Sequence, residues 1–568
     1  MSPGLLSAGL GSVPAEQTYL DISQGNRVFD SLYSSELPPR GRCRTWWRAV
    51  VDRAESAPAD IVPGLLTSTL ESAGVGVRMG AGTSCTFSAI QTRPAGGVPP
   101  KKLSGGRHPH PGTSFEVRRL TLPQLPSLLG GNDLVVAIER PPPAQNRALA
   151  IGIAGRGFHG NLTSDSTRTD GYVLSTDIAP TILERLGIAV PSAMSGQPIR
   201  AEGSVDVAAI ESRAERMAVI SARRGPVIGV SLFVWLLVFV VAVGVTRGRA
   251  ARFGVRLAGL SVIYLPLVLL LGAVLEPGQG AEQLLVMVGA PLLAALTLLT
   301  LGGYRALAVS SGLVVLAYAA DVIAGSPLTS LSLLGPNPGL GVRFYGIGNE
   351  LEALLGVLVV AGTGAALTGF LPHWSPRACA GAFLAIGLFF ALIFAAGRFG
   401  ADVGAAIVLP VAAAAAASAV ASPRRRAALL IVAAPFAVLA LIAFADLVSG
   451  ANAHLTRSVL DAGGLGDLAD VAQRRLQLSA HSFVRPIALV FLPVVAALAT
   501  FAVVRGDRLR ALLEGSPALR AGLLGGLAAT VIGTLANDSG ALLLLIGAAY
   551  LLVFVSFAWA EGTRVSRA

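Results

Sequence analysis

From residue 225 to the C-terminus the chain alternates long apolar runs with short polar breaks. Eleven runs reach the roughly 20 residues that cross a bilayer as a helix: 225–246, 255–275, 281–301, 304–323, 350–371, 378–396, 401–421, 427–449, 484–503, 518–536 and 540–560. Before residue 225 no run is that long, and short apolar segments sit between Gly- and Pro-rich stretches. Residues 134–138 and 148–153 read as buried strands, with Pro141-Pro142-Pro143 in the loop between them. Residues 179–186 read as a helix, N-capped by Asp177, with Pro180 in its first turn and Gly187 as its stop. Residues 91–115 read as a loop. Strands alternating with helices predict an α/β domain over 1–224. An all-α polytopic transmembrane domain of about 11 helices follows over 225–568.

Composition narrows the class. Of 568 residues, 53% are hydrophobic and 14% charged, against about 25% charged in soluble proteins. An ordinary cytosolic enzyme, a disordered chain and a coiled coil are excluded. The net charge of +11 does not indicate nucleic acid, because the arginines flank apolar runs, where charge reports membrane orientation. There is no P-loop and no Rossmann fingerprint, and Cys379 stands alone in a span. Cys43 and Cys85 are either a disulfide, if their domain is extracytoplasmic, or two unpaired core cysteines.

Arginine also sets the orientation. With the first span running outside to inside, inner loops and tail carry fifteen arginines, including Arg247, Arg249, Arg252, Arg424, Arg425, Arg426, Arg505, Arg508 and Arg510. The outer loops carry six: Arg343, Arg398, Arg457, Arg474, Arg475 and Arg485. That split places 1–224 outside a bacterial plasma membrane and the C-terminus in the cytoplasm. Arg223 and Arg224 vote the other way. Residues 1–15 lack the basic start of a signal peptide, so a signal-anchor helix is expected upstream, with Leu5-Leu6-Ser7-Ala8-Gly9-Leu10 as its remnant.

Three polar clusters interrupt the spans: Arg343-Phe344-Tyr345-Gly346-Ile347-Gly348-Asn349-Glu350 with Glu352 beyond, Gly397-Arg398-Phe399-Gly400-Ala401-Asp402, and Asn537-Asp538-Ser539. Asp321 ends the fourth span. An ionised side chain at membrane depth costs at least about 2.5 kcal/mol and therefore pairs or faces water. On this topology all four features lie at outer helix ends. They predict one ligand pocket built from Asp321, Arg343, Tyr345, Asn349, Glu350, Arg398, Asp402, Asn537 and Asp538. The alternative for Glu350 and Asp402 is helix capping. The outer segment 450–485, with His454, Arg457 and Arg474, reads either as a lid or as an interfacial helix on lipid.

In the first domain, Thr176-Asp177-Ile178-Ala179-Pro180-Thr181-Ile182-Leu183, followed by Pro191 and Ser195-Gly196-Gln197-Pro198-Ile199, resembles the closing segment of the alkaline phosphatase superfamily. The resemblance implies a partial fold of that type, with Asp165, Arg168 and Asp177 as site candidates. It also implies metal ligands that this chain lacks. Glu139-Arg140-Pro141 stands where Asp-His-Gly is expected, and Thr163-Ser164-Asp165-Ser166 has serine in place of histidine. His108 and His110 read as solvated, and His159 as a residue of a Gly-rich turn. No metal and no cofactor is expected, and the domain is read as non-catalytic. Such a domain fused to many spans resembles membrane phosphoethanolamine transferases. Two readings stay open. One is a protein that binds or translocates a lipid-linked or anionic envelope precursor, such as a lipid-linked glycan. The other is a transferase or phosphodiesterase acting on such a substrate at the outer face, with Glu350, Asp402 or Asp538 as general base. Membrane lipids are partners in both, and nucleic acid in neither.

Overall fold

The computed structural model describes residues 1–38, 43–57, 59–79, 112–141, 148–373, 375–397, 399–421, 431, 433–441, 473 and 476–562. Two compact units emerge: Met1–Val219 with Asn337–Phe344, and Ile220–Pro336 with Tyr345–Ala568.

The N-terminal unit is built on a mixed sheet in the order β4-β5-β1-β7. Strand β1 (Ser2–Ser7) pairs antiparallel with β5 (Leu149–Ala154) and parallel with β7 (Tyr172–Leu174), while β4 (Val135–Ile138) lies on the far side of β5. Two ribbons accompany it: β2 (Gly76–Met79) with β3 (Ser114–Val117), and β6 (Asn161–Ser164) with β8 (Ile199–Glu202). Helices α1 (Ala15–Gln24), α2 (Cys43–Glu55), α3 (Leu65–Ser72) and α4 (Ile178–Arg185) bring Leu20, Trp46, Leu66, Leu70 and Leu183 to one core with Leu6, Ile151 and Val173. The two strands read from the sequence are present, as an antiparallel pair. The expected anchor remnant is not helical. Residues 5–7 lie in β1, where Leu5 and Leu6 are buried and the backbone is bonded on both edges, which leaves no helix-forming choice. The Cys43–Cys85 pairing, His108 and His110 fall outside what the structure describes.

Helix α5 (Val207–Arg224) does not stop where the first span was expected to begin. It passes through a wide turn at Gly225–Gly229 into α6 (Val230–Val245), so that the helix runs unbroken from Val207 through Val241. Pro226 lacks the N–H that would close the ordinary turn there, and a π-type turn accommodates it. The helical unit continues with α7 (Arg249–Leu275), α8 (Gln279–Thr300), α9 (Tyr304–Ile323), α10 (Asn349–Phe370), α11 (Pro376–Ala395), α12 (Val403–Ala421), α13 (Pro486–Val504), α14 (Gly506–Leu512), α15 (Pro517–Ala536) and α16 (Gly540–Gly562). Among the described residues nine helices are long and apolar enough to cross a membrane, or ten if α13 and α14, bent by 74°, form one span. The expected span at 427–449 lies largely outside the described residues.

The helices separate into central and peripheral ones. Helix α10 is buried along most of its length. Helix α8 instead turns Leu284, Val288, Leu292 and Leu296 outward at a spacing of four, a stripe that suits lipid.

Two prolines inside these helices leave a carbonyl without its usual donor, and in each case an aromatic side chain supplies one. Pro266 cannot bond Val262, whose carbonyl accepts from the Tyr550 hydroxyl at 3.2 Å. Pro291 cannot bond Met287, whose carbonyl accepts from Trp235 Nε1 at 3.1 Å. In an apolar interior such a carbonyl is costly if unmet. Tyr550→Phe keeps the ring and deletes the donor. It should cost about 1–3 kcal/mol, read as a lower unfolding temperature in detergent. An unchanged temperature would mean that the bond contributes nothing.

Candidate functional site

Polar groups from four helix boundaries meet at one end of the helical unit. Helix α10 begins after Gly348, and its first turn carries Glu350 and Glu352, a placement the positive helix end favours. The chain reaches that start through Gly346 (φ +77°), whose N–H donates to Ser326 Oγ at 2.8 Å. A Cβ on Gly346 would lie 1.9 Å from the Gly400 carbonyl oxygen, so only glycine permits this contact between the turns before α10 and α12. The Gly400 carbonyl also accepts from Ile347 N–H at 3.2 Å.

Around this framework the side chains pair. Asn349 Nδ2 donates to Asp538 Oδ1 at 2.8 Å and to Ser539 Oγ at 3.1 Å, across the break between α15 and α16. Asn537 Nδ2 donates to Glu352 Oε2. Glu352 is 2% exposed, and its carboxylate rests against the backbone of Gly404, where a Cβ would approach Oε2 to 2.4 Å. Asp402 is buried, and its Oδ1 accepts from Gly404 N–H at 3.0 Å, capping α12. Glu350 meets Arg224 at 3.6 Å, and Arg224 also donates to the Gly335 carbonyl at 2.7 Å. Beside it, Arg223 pairs at 3.1 Å with Glu282, whose side chain is 1% exposed.

Of the pocket residues expected from sequence, Asn349, Glu350, Asn537 and Asp538 lie in this cluster, and Asp402 adjoins it as a cap. Tyr345 stands half-buried two residues before Ile347. Asp321 is occupied by the turn after α9, accepting from Leu328 N–H at 3.0 Å and Thr329 N–H at 2.7 Å. Arg343 belongs to the N-terminal unit. Arg398, His454, Arg457 and Arg474 lie outside the described residues. Arg223, Arg224 and Glu282 were missed as site residues, and Glu352 was noted only as a neighbour. The signal was present: both arginines sit on the outvoted side of a span, and both acids interrupt apolar helices.

Among the described residues this end carries the carboxylates of Glu350, Glu352, Asp402 and Asp538: Glu350 meets Arg224, Glu352 and Asp538 accept from the amides of Asn537 and Asn349, and Asp402 accepts from Gly404 N–H. Carboxylates only accept hydrogen bonds, so this chemistry suits hydroxyls, ammonium groups or protons.

In the N-terminal unit, Asp177 does not cap α4 with its side chain. Its carboxylate turns inward and accepts from Ser164 Oγ and Ser166 Oγ, each at 2.6 Å, and from Leu174 and Gln197 N–H, each at 2.9 Å. Four donors outweigh the single bond that a cap would supply. Burial still holds its pKa above the ordinary value, although those bonds pull it down. Asp165 pairs with Arg200 at 2.5 Å on the exposed surface, and Arg168 adopts φ +51° in the loop beyond it. Glu139 accepts from Ala150 N–H at 3.0 Å, and His159 is exposed. Among the described residues no group of three or more His, Cys, Asp or Glu side chains is placed to hold a metal ion.

A second buried acid of this unit makes a pH prediction. Burial pushes Asp21 up to about 7, against the opposing hydrogen bond from Gln17 and the charges of Arg27 and Arg53. The folded state therefore keeps a proton that the unfolded chain releases near pH 4. Stability from this group is complete below that pH and is lost as pH rises toward 7, by up to about 4 kcal/mol. Unfolding followed from pH 4 to 8 should show this slope, and Asp21→Asn should flatten it. An equal slope in the variant would contradict the assignment.

Comparison with protein-family models, with curated proteins and with solved structures finds no match for this chain.

Proposed function

We propose that this multi-pass membrane protein binds and translocates a lipid-linked envelope precursor through the Glu350–Glu352 end of its helical unit. The observation that supports the reading most directly is the meeting of Asn349, Glu352, Asn537 and Asp538 at helix breaks up to 189 residues apart in sequence. Buried polar groups at broken helices in a membrane are expensive, and transporters place their binding sites at such breaks. Carboxylates and amides side by side match the hydroxyls of a glycan head group better than a bare phosphate, so a lipid-linked glycan is the favoured substrate class. A transferase remains the second reading. Asp538, the exposed carboxylate of the set, is its best candidate for general base.

Mass spectrometry of lipid carried by protein purified from native membrane tests the proposal. A stoichiometric glycolipid supports it, and bulk phospholipid alone contradicts it. Flux of that lipid without chemical change supports translocation, and a modified product supports transfer.

The reading also places residues 1–224 outside the cytoplasm and the C-terminus inside, on the arginine split. Ser204 is exposed. In a cysteine-free background, Ser204→Cys should react with an impermeant maleimide in intact cells. Labelling only after permeabilisation would invert the orientation.

A further inference from the structure

We propose that residues 337–344 are a coupling strap through which the N-terminal unit sets the state of the Glu350 end of the helical unit. The inference goes beyond the substrate reading. Its functional weight rests on that end being the working site, while its test does not.

In sequence the strap lies between α9 and α10, yet Asn337–Phe344 packs as part of the N-terminal unit. Three hydrogen bonds hold it there. Gly11 N–H donates to the Leu340 carbonyl at 2.8 Å, Arg27 Nη2 to the Gly341 carbonyl at 2.8 Å, and the Tyr172 hydroxyl to the Pro338 carbonyl at 3.1 Å. Phe344 is buried, with its ring 5.6 Å from the Tyr172 ring and 5.6 Å from the Arg27 guanidinium. At Gly341 (φ +71°) a Cβ would sit 2.0 Å from the Gly9 carbonyl oxygen, so the two backbones meet with no room for a side chain.

The chain leaves this lock and enters another almost at once. Gly346 and Ile347 are fixed in the helical unit by Ser326 and Gly400. Only Tyr345 separates Phe344 in the first lock from Gly346 in the second. Consecutive Cα atoms are about 3.8 Å apart, so the link has little slack. A displaced strap must move the turn before α10 or break one of the locks. Asn349, Glu350 and Glu352 follow directly on that turn.

The chain also joins the helical unit at Pro336–Asn337, the strap's other end, and through the helix Val207–Val241, which crosses from Val219 to Ile220 unbroken. That helix carries Arg224, the partner of Glu350. The strap's Phe344–Tyr345 exit and the long helix thus lead to the two members of one ion pair. Anything that rearranges the Ser7–Arg27–Tyr172 contacts acts on Glu350 through the strap, and rotation of the long helix acts on it through Arg224.

Amide hydrogen exchange on the full-length protein in lipid nanodiscs tests this. Tyr172→Phe and Arg27→Gln each remove a bond to the strap. Arg200→Gln is the control, since Arg200 pairs with Asp165 on the exposed surface and makes no bond to the strap. Both strap variants should speed exchange in peptides covering 337–344 and also 345–352, by about tenfold. The control should leave 345–352 at the wild-type rate. Tyr172→Phe deletes one hydroxyl and carries the test if Arg27→Gln does not fold. Faster exchange in 337–344 alone would make the strap a passive tether, and no change in either peptide would mean these bonds do not hold it. A protein that shows the coupled response but carries no glycolipid would retain the strap and lose the substrate reading.

Discussion

Arg223→Ala should destabilise the protein by about 3–5 kcal/mol, the largest stability effect expected of any single substitution in the helical unit. The guanidinium reaches both the Glu282 carboxylate at 3.1 Å and the Pro277 carbonyl at 2.8 Å. Glu282 is buried in the first turn of α8. Removing the arginine takes the guanidinium away from a buried carboxylate, and breaking a buried pair costs far more than the pair contributes when intact. The double variant Arg223→Met with Glu282→Leu should recover most of the loss, because neither charge then remains. Unfolding temperatures of the two variants check this. Equal loss in both would place the effect in packing rather than charge.

Glu352→Gln should produce the largest functional effect with little change in stability. The amide oxygen of glutamine can still accept from Asn537 Nδ2, so the link between α10 and the break before α16 survives. What disappears is the charge. Unfolding should shift by no more than about 1 kcal/mol, while bound glycolipid or flux falls at least about tenfold, equivalent to about 1.4 kcal/mol of binding. Gly404→Ala separates the two roles. Its methyl would press within 2.4 Å of Glu352 Oε2, so it should cost stability as well as function. If Glu352→Gln leaves binding and flux intact, Glu352 is an anchor for the helix break and not part of a site.

The membrane half was legible because a lipid-spanning helix has one dominant requirement, a long apolar run, and this chain meets it repeatedly. The first boundary was not legible, because the apolar run begins at residue 225 while the helix that carries it begins at Val207 and continues through Pro226. The acidic half of the polar end was readable from cost alone, as with Glu350 and Asp538. Its cationic partner was not. Arg224 looked like a topology signal, and only its position opposite Glu350 identifies it as a counter-ion. Arg343 lies seven residues before Glu350 in sequence, and the segment that carries it packs with the N-terminal unit, a grouping that spacing along the chain does not reveal. In the N-terminal unit, Asp177 was expected as a cap because sequence shows its place before a helix. The four donors that claim its carboxylate are spread from residue 164 to residue 197 and are not adjacent in sequence.

The account rests on the Glu350–Glu352 end being a binding site, and photocrosslinking in intact cells tests that most directly. A benzophenone side chain at half-buried Tyr345 replaces one aromatic group with another beside the cluster, and one at exposed Leu284 samples the lipid-facing surface. The account predicts that adducts at 345 are enriched in a glycan-bearing lipid, that adducts at 284 are bulk phospholipid, and that Glu352→Gln removes the enrichment. The same phospholipid mixture at both positions would contradict it.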